Sequence, residues 1–138
     1  MVSLRAEAQP DPLIPSLQAL IANPRFQGLL EIGLDYADEP DLKPMQVHHI
    51  LAIVQESLSN TLRHARARSA KITVRQQNGA TAVWIEDNGR GFSPQQMEAG
   101  YGLRSMRDRA RLVGGQLQIE STPGKGAKII LTLSEVNP

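Results

Sequence analysis

One predicted helix carries a row of polar side chains that could bind a cation together with its anionic ligand. Glu56, Asn60 and His64 follow one another at four-residue steps, with Arg63 beside them, so a helix places them on one face. The Asn60 amide oxygen is a hard ligand of the kind Mg²⁺ prefers, and Glu56 can hold a metal-bound water. Arg63 and His64 can face phosphate oxygens. A solvated helix face is the alternative, but Asn is a poor interior helix former.

The stretch "EDNGRGF" (86–92) ends a predicted strand on an acid and continues into two glycines. An ionised carboxylate such as Asp87 can only accept hydrogen bonds, which suits the amino group of an adenine. Gly89 and Gly91 leave room for a base to lie against bare backbone. Taken alone, the stretch also fits a tight turn, and a lone Gly-x-Gly is a weak signal.

A third glycine-containing stretch, Gly100-Tyr101-Gly102, opens a predicted helix whose first free amides favour a phosphate. Two familiar nucleotide motifs are excluded. Gly124-Lys125-Gly126 lacks the remaining Walker residues and is interpreted as a hairpin turn. The 100–105 stretch lacks the last Rossmann glycine and follows a loop where that motif follows a strand. His48 and His49 are adjacent, about 100° apart on a helix, so they cannot easily share a metal.

Hydrophobic periodicity predicts the elements that position these residues. Val47, Ile50, Val54 and Leu58 form an apolar stripe on a helix from about Met45 to Ala65. The other predicted elements are a short helix beginning at Pro15 and Ser16, strands over 26–37, 69–77, 81–87, 116–122 and 127–133, and a helix over 102–113, with Asn78-Gly79 as a hairpin turn. This order predicts an α+β fold: a two-layer α/β sandwich with a mostly antiparallel mixed sheet and about three helices on one face.

Composition bounds the function. The chain has 138 residues, the size of one compact domain, and no cysteine, which excludes disulfides and thiolate chemistry. A net charge of +1 and 4% aromatic residues disfavour direct binding to nucleic acid. No segment has the apolar length of a signal peptide or a membrane span.

Three stretches together resemble the ATP-binding domain of sensor histidine kinases, in the order and spacing of that family. "QESLSNTLRHA" (55–65) resembles its N-box, "EDNGRGF" its G1 box and "GYGLRSMRDRARLVGG" (100–115) its G2 box. The G2 helix and the "RHA" ending are most similar to the subfamily that partners LuxR/NarL-type response regulators. The resemblance implies the Bergerat fold shared with gyrase B, MutL and the Hsp-type chaperone ATPases. It divides the chain into a segment 1–25, the tail of a dimerisation helix or a linker, and an ATP-binding domain 26–138.

The resemblance also implies ATP and Mg²⁺ as ligands and assigns roles to individual residues. Asn60 matches the magnesium ligand, Asp87 the adenine-binding acid, and the loop 92–99 a short ATP lid. The remaining nucleotide contacts implied are Arg63, His64, Gly89, Gly91, Phe92, Gly100, Tyr101, Gly102 and Leu103.

Two positions depart from the subfamily pattern. Tyr101 stands between the G2 glycines, where histidine is usual. Ala127 follows Gly126, where a threonine hydroxyl usually supports the adenine-binding acid. The second departure predicts the loss of one hydrogen bond, worth about 1 kcal/mol.

The implied activity is transfer of the ATP γ-phosphate to a histidine on a separate dimerisation domain. The acceptor histidine of these kinases is followed by an acid, and His48, His49 and His64 are not. The implied setting is a cytoplasmic domain of a homodimeric parent, membrane-bound or soluble, with a LuxR/NarL-type regulator as partner. The alternatives are a GHKL-type ATPase switch in which Glu56 activates water, an anti-sigma-factor-type serine kinase, and a basic binding module built from the arginines.

Overall fold

A mixed five-stranded sheet and three α-helices make up the described part of the chain, which in the computed structural model comprises residues 12–91 and 102–134. The elements in chain order are α1 (Leu13–Ile21), β1 (Glu31–Tyr36), α2 (Pro44–Asn60), a π-helical turn (Thr61–Ala65), β2 (Ser69–Gln77), β3 (Ala80–Asp87), α3 (Leu103–Leu112), β4 (Gly115–Ser121) and β5 (Ala127–Ser134). The strand order is β1-β2-β3-β5-β4, and only the β1–β2 pair is parallel. The predicted α+β sandwich is confirmed.

The core lies between one face of the sheet and the helices. Alternate residues of the central strands are buried, as the two-residue period of a strand requires when one face is covered. These residues are Ile72, Val74, Val83, Ile85, Ile129, Leu131 and Leu133, and they form one cluster with helix residues that include Leu17, Ile50, Ile53, Leu58 and Met106. Because α2 and α3 both pack on this face, their facing sides are fixed relative to the strand ends.

The other face of the sheet is largely polar. Lys71, Glu86, Lys128 and Glu120 are successive neighbours across four strands. Opposite charges directly across a strand pair are mildly stabilising. This row explains how that face tolerates water without a covering layer of helices.

The N-terminal helix begins earlier than its local sequence predicts. It starts at Leu13, and Pro15 lies in its first turn, where a missing N–H costs nothing. The Glu39 carboxylate accepts hydrogen bonds from the amides of Leu13 (2.7 Å) and Ile14 (2.9 Å). An acid from a distant turn therefore caps the helix.

The predicted strand over 26–37 is wrong in its first half, because β1 begins only at Glu31. The segment before it forms turns, in which the amide of Phe26 donates to the carbonyl of Asn23 (2.9 Å) and that of Leu30 to Phe26 (3.0 Å). Phe26 is 1% exposed and anchors these turns in the core. An apolar run can mark a buried turn as well as a strand, and here the core contact decides.

The long helix changes geometry where the predicted site begins. α2 ends at Asn60 and continues as a π-helical turn, after which Arg66 adopts the left-handed conformation (φ 52°). The hydroxyls of Ser57 and Thr61 donate to the carbonyls four residues earlier (2.9 and 3.0 Å). Such back-bonds accompany bent helices, and π-helical turns are frequent at functional sites. Among the described residues, no helix has the length and apolar character needed to cross a membrane.

Candidate functional site

The end of α2 brings together three of the predicted polar side chains. Asn60 is 6% exposed, and its Oδ1 atom accepts a hydrogen bond from Nη2 of Arg63 (3.3 Å). The same Nη2 atom lies 3.3 Å from Oε2 of Glu56, with which it forms an ion pair. A buried amide oxygen and a carboxylate thus lie side by side under a guanidinium, which suits a cation and a phosphate together.

The π-helical turn alters the spacing that the sequence predicts. Glu56 and Asn60 keep the four-residue step of an α-helix, but Arg63 and His64 lie in the wider turn that follows. A π-turn bonds i to i+5, so it rotates later residues relative to an α-helical continuation. The predicted single stripe is therefore interrupted after Asn60.

His64 lies half-buried at the end of this turn. Burial lowers the pKa of its imidazole, and the positive charges of Arg63 and Arg90 lower it further. Its carbonyl oxygen accepts a hydrogen bond from Nε of Arg90 (2.9 Å). His64 is therefore favoured as a neutral ring that can donate to a phosphate oxygen without bearing a full charge.

Asp87 ends β3 with both carboxylate oxygens already oriented. Its Oδ1 atom accepts from the amide of Gly89 (2.8 Å), and its Oδ2 atom lies 3.3 Å from the hydroxyl of Thr61. The single proton of Thr61 is shared between Asp87 and the Ser57 carbonyl. The Asp87 carboxylate keeps free acceptor capacity, which an amino group can use.

Thr61 supplies the Asp87 carboxylate with the hydroxyl that Ala127 lacks. Ala127 is the direct neighbour of Asp87 across the β3–β5 pair and has no hydroxyl. The hydroxyl usual at position 127 is therefore missing, as predicted, and Thr61 supplies a different hydroxyl to the same carboxylate from the π-helical turn. Sequence reasoning missed Thr61, and its position directly after Asn60 in the N-box stretch was the available signal.

The loop after Asp87 is tied to the elements on both sides of it. The Asn88 side chain accepts from the amides of Arg68 (3.1 Å) and Ser69 (3.0 Å), at the entry to β2. Arg90 donates to His64, and its carbonyl accepts from the amide of Gly124 in the β4–β5 turn. Asn88 and Arg90 thus connect the two ends of the site, and sequence reasoning missed both.

Gly91 is required by close packing of backbone on backbone. Its φ is +67°, and a Cβ atom there would meet the carbonyl oxygens of Thr122 and Gly126. Gly126 in turn lies against the Asp87 carbonyl. The loop 88–91 and the β4–β5 turn therefore pack against each other directly below Asp87.

The start of α3 lies against Glu56. Gly102 is the N-cap of α3 with φ +71°, and an added Cβ would lie 2.7 Å from Oε2 of Glu56. The first turn of α3, whose first amides have no partner within the helix, thus begins beside the end of the site that holds Glu56. Leu103, a predicted nucleotide contact, is 4% exposed and belongs to the core, where it anchors this helix start.

The remaining predicted site residues are Phe92, Gly100 and Tyr101, and with the lid 92–99 they lie outside the described residues. Within the described ranges, no cluster of three or more His, Asp or Glu side chains could form a metal site. A Mg²⁺ bound by one or two protein oxygens, phosphates and water needs no such cluster. Asn60 and Glu56 fit that type of site.

Comparison with known proteins places the chain in a family. The profile of the family described as histidine kinase-, DNA gyrase B-, and HSP90-like ATPase matches residues 45–137. The sensor histidine kinase LiaS of Bacillus subtilis is 40% identical over 101 residues, covering 72% of this chain and 28% of LiaS. The nitrate/nitrite sensor protein NarX of Escherichia coli is 29% identical over 134 residues, covering 96% of this chain and 22% of NarX.

Among solved structures, the histidine kinase domain of a blue-light activated histidine kinase from Erythrobacter litoralis is similar in fold. Its TM-score is 0.75 at 24% identity, and the match covers 89% of this chain and 61% of that chain. This likeness supports the two-layer sandwich fold.

The fold and the site together define an ATP-binding α/β sandwich, with an acid at one end and an amide, a carboxylate and a helix start at the other. The chain belongs to the family of histidine kinase-, DNA gyrase B- and HSP90-like ATPases. It spans only 28% and 22% of the lengths of LiaS and NarX.

Proposed function

We propose that this chain is the catalytic domain of a two-component sensor histidine kinase. In this proposal it transfers the γ-phosphate of ATP to a histidine on a separate helical domain. The observation that carries the proposal is the meeting of Asn60, Glu56 and Arg63 with the start of α3 at Gly102. The relatives LiaS and NarX, both named as sensor proteins, support it.

Asp87 binds the adenine end of the nucleotide. Gly89 and Thr61 orient its carboxylate, so the remaining lone pairs can accept from the exocyclic amino group of adenine. A guanine presents an oxygen at that position, which would face the carboxylate as a second acceptor. The site therefore favours ATP over GTP.

Asn60 and Arg63 act at the phosphate end. Asn60 would offer its amide oxygen to a magnesium ion, and Glu56 would accept a hydrogen bond from a water bound to that ion. When bound, Mg²⁺ supplies neutralisation of phosphate charge and a fixed arrangement of the phosphate oxygens. Arg63 and the neutral ring of His64 donate to those oxygens, and the amides at the start of α3 add further donors.

The nucleophile comes from outside the chain. In-line transfer requires a group that approaches the γ-phosphorus opposite the leaving oxygen. His64 lines the site, and Nδ1 of His49 lies 3.0 Å from Nη1 of Arg109. In this proposal the acceptor is the imidazole of a helical dimerisation domain, and the chain contributes position and charge.

The sequence motifs support a proposal for the wider setting. The parent protein is a homodimer whose catalytic domain works in the cytoplasm and whose partner is a LuxR/NarL-type response regulator. In this proposal residues 1–25 connect the dimerisation domain to this domain, with α1 packed on the catalytic core, and the loop 92–99 is the ATP lid.

Phosphorylation of the parent kinase tests the proposal. With labelled ATP and Mg²⁺, we expect acid-labile, base-stable label on a histidine of the helical domain. Loss of the Asn60 amide oxygen in Asn60→Ala should lower the rate by at least roughly a hundredfold, the effect of losing a ligand of a catalytic metal. The exposed His48→Ala on the same helix serves as the matched control.

Two results would contradict the proposal. Label on His48, His49 or His64 would identify a self-contained kinase. Release of inorganic phosphate with no labelled histidine would identify an ATPase switch.

A further inference from the structure

A polar groove of about 390 Å³ lies between α2 and α3, beside the phosphate end of the site. Ala52 and Ser59 of α2 line it with small side chains, and α3 contributes Ser105 and Arg109. Arg25, from the turn after α1, lies on the groove as well. This arginine precedes residues 45–137, so it lies outside the part of the chain that the family profile matches.

The groove carries more positive than negative charge. Three guanidinium groups line it, from Arg25, Arg63 and Arg109, together with one carboxylate, Glu56. Glu56 already forms an ion pair with Arg63. Within residues 12–91 and 102–134, no carboxylate lies within ion-pair distance of Arg25 or Arg109. The guanidinium of Arg25 stacks on the Phe26 ring at 5.8 Å, and Arg109 contacts a ring nitrogen of His49. Both keep donors available, because a guanidinium has five N–H groups.

The position of the groove links it to the approach of the acceptor. Glu56 belongs both to the groove and to the contact with Gly102 at the phosphate end. In-line attack brings the acceptor domain to the γ-phosphate from outside the site, and this groove borders the end of the site that holds Glu56. A guanidinium pair on the flanks of such a path favours carboxylates, which it can bind in fork geometry.

We propose that this groove docks an acidic segment of the helical phosphoacceptor domain, with Arg25 and Arg109 pairing with its carboxylates. This inference rests on the proposed function. The pairing aligns the acceptor histidine with the γ-phosphate and speeds productive encounter of the two domains. Arg25 and Arg109 act as positioning residues, since neither contacts the groups that hold the nucleotide.

The test is the rate of histidine phosphorylation in the parent kinase with Arg25→Gln, Arg109→Gln and both. We expect nucleotide affinity to stay within about twofold of the parent, while the double variant phosphorylates roughly tenfold more slowly at saturating ATP. Added salt should slow the parent and leave the double variant nearly unchanged, since salt screens exposed charge pairs. Arg25→Lys and Arg109→Lys keep the charge but lose the fork geometry, so they should restore only part of the rate.

Arg111→Gln is the matched control, because Arg111 lies on α3 two residues from Arg109 and pairs with Asp108 (2.8 Å). It should phosphorylate at the parental rate. Thermal unfolding of each variant checks whether it is folded. If a glutamine variant does not fold, the corresponding lysine variant is used in its place.

Three results would overturn the inference. A parental rate in the double variant would mean that the groove docks nothing during transfer. A fall in ATP affinity equal to the fall in rate would assign the arginines to the nucleotide phosphates. Absence of labelled histidine in the parent itself would instead reject the proposed function, and the docking proposal with it.

Discussion

At the scale of single residues, the site depends on a hydroxyl that connects its two ends. Thr61 follows Asn60 in the chain, yet its side chain contacts Asp87 at the end of β3. The residue that binds the metal in the proposed mechanism and the residue that orients the adenine-binding acid are therefore consecutive. A shift of the π-helical turn would move both at once.

Replacing Thr61 with valine, which has nearly the same shape, removes only the hydroxyl. We expect ATP affinity to fall by about 1 kcal/mol, or roughly fivefold, because the Asp87 carboxylate loses one orienting donor. Isothermal titration calorimetry with ATP measures this change. Thr61→Ser should keep most of the affinity, and Thr132→Val on an exposed strand position is the matched control. Equal ATP affinity in Thr61→Val and the parent would contradict the role of Thr61.

At the scale of elements, the start of α3 is fixed by a glycine that fits against α2. Gly102 combines a left-handed φ with a carboxylate 2.7 Å from where its Cβ would lie. A side chain here would push Glu56 away from Arg63 or displace the first turn of α3. The packing of one helix start on one carboxylate thus sets the width of the phosphate end.

Gly102→Ala and Gly114→Ala make a matched pair that separates strain from packing. Both glycines have nearly the same φ (+71° and +73°), but an added Cβ at Gly114 meets nothing within 4 Å. Both variants should lose about 1–2 kcal/mol of stability from the left-handed conformation. Only Gly102→Ala should also weaken binding of ATP, which calorimetry measures after chemical denaturation has ranked the stabilities.

Equal ATP affinity in these two variants would contradict the packing of Gly102 on Glu56. A normal stability of Gly114→Ala would show that the left-handed strain at these helix ends is relieved by local adjustment.

At the scale of the whole molecule, arginines lie beside His49 and His64. His49 of α2 meets Arg109 of α3, with His48 beside it (ring centroids 5.1 Å apart). Burial lowers the pKa of His49, and the charges of Arg109 and His48 lower it further. The contact between α2 and α3 therefore favours the neutral form of the His49 imidazole.

The consequence is a loss of stability in mild acid. Below the unfolded-state pKa of about 6.5, the unfolded chain binds a proton at position 49 that the folded chain resists. The free energy of unfolding should therefore fall as the pH drops from about 7.5 to 5.5. His49→Gln should reduce this slope, as urea denaturation at several pH values would measure. An unchanged slope in the variant would contradict the assignment to His49.

Much of the molecule is determined by the sequence at short range. β2 has the predicted bounds, and the Asn78-Gly79 turn has the positive φ values (52° and 77°) that its residues favour. The three motif stretches predict the family, and Glu56 and Asn60 share one face of α2 as their four-residue spacing indicates. These features depend on neighbours along the chain, which a sequence displays directly.

Tertiary structure alone decided the contacts that join distant segments. Glu39 caps α1 from 25 and 26 residues away, Thr61 reaches Asp87, and Arg25 reaches the groove beside Arg109. The turns before β1 exist because Phe26 fills the core, although the same apolar run predicts a strand. Local propensity is worth only tenths of a kcal/mol per residue, whereas burial of one large side chain is worth about 1.5–3 kcal/mol. Where the two disagree, packing wins, and a pattern read along the chain cannot show which distant side chain will do the packing.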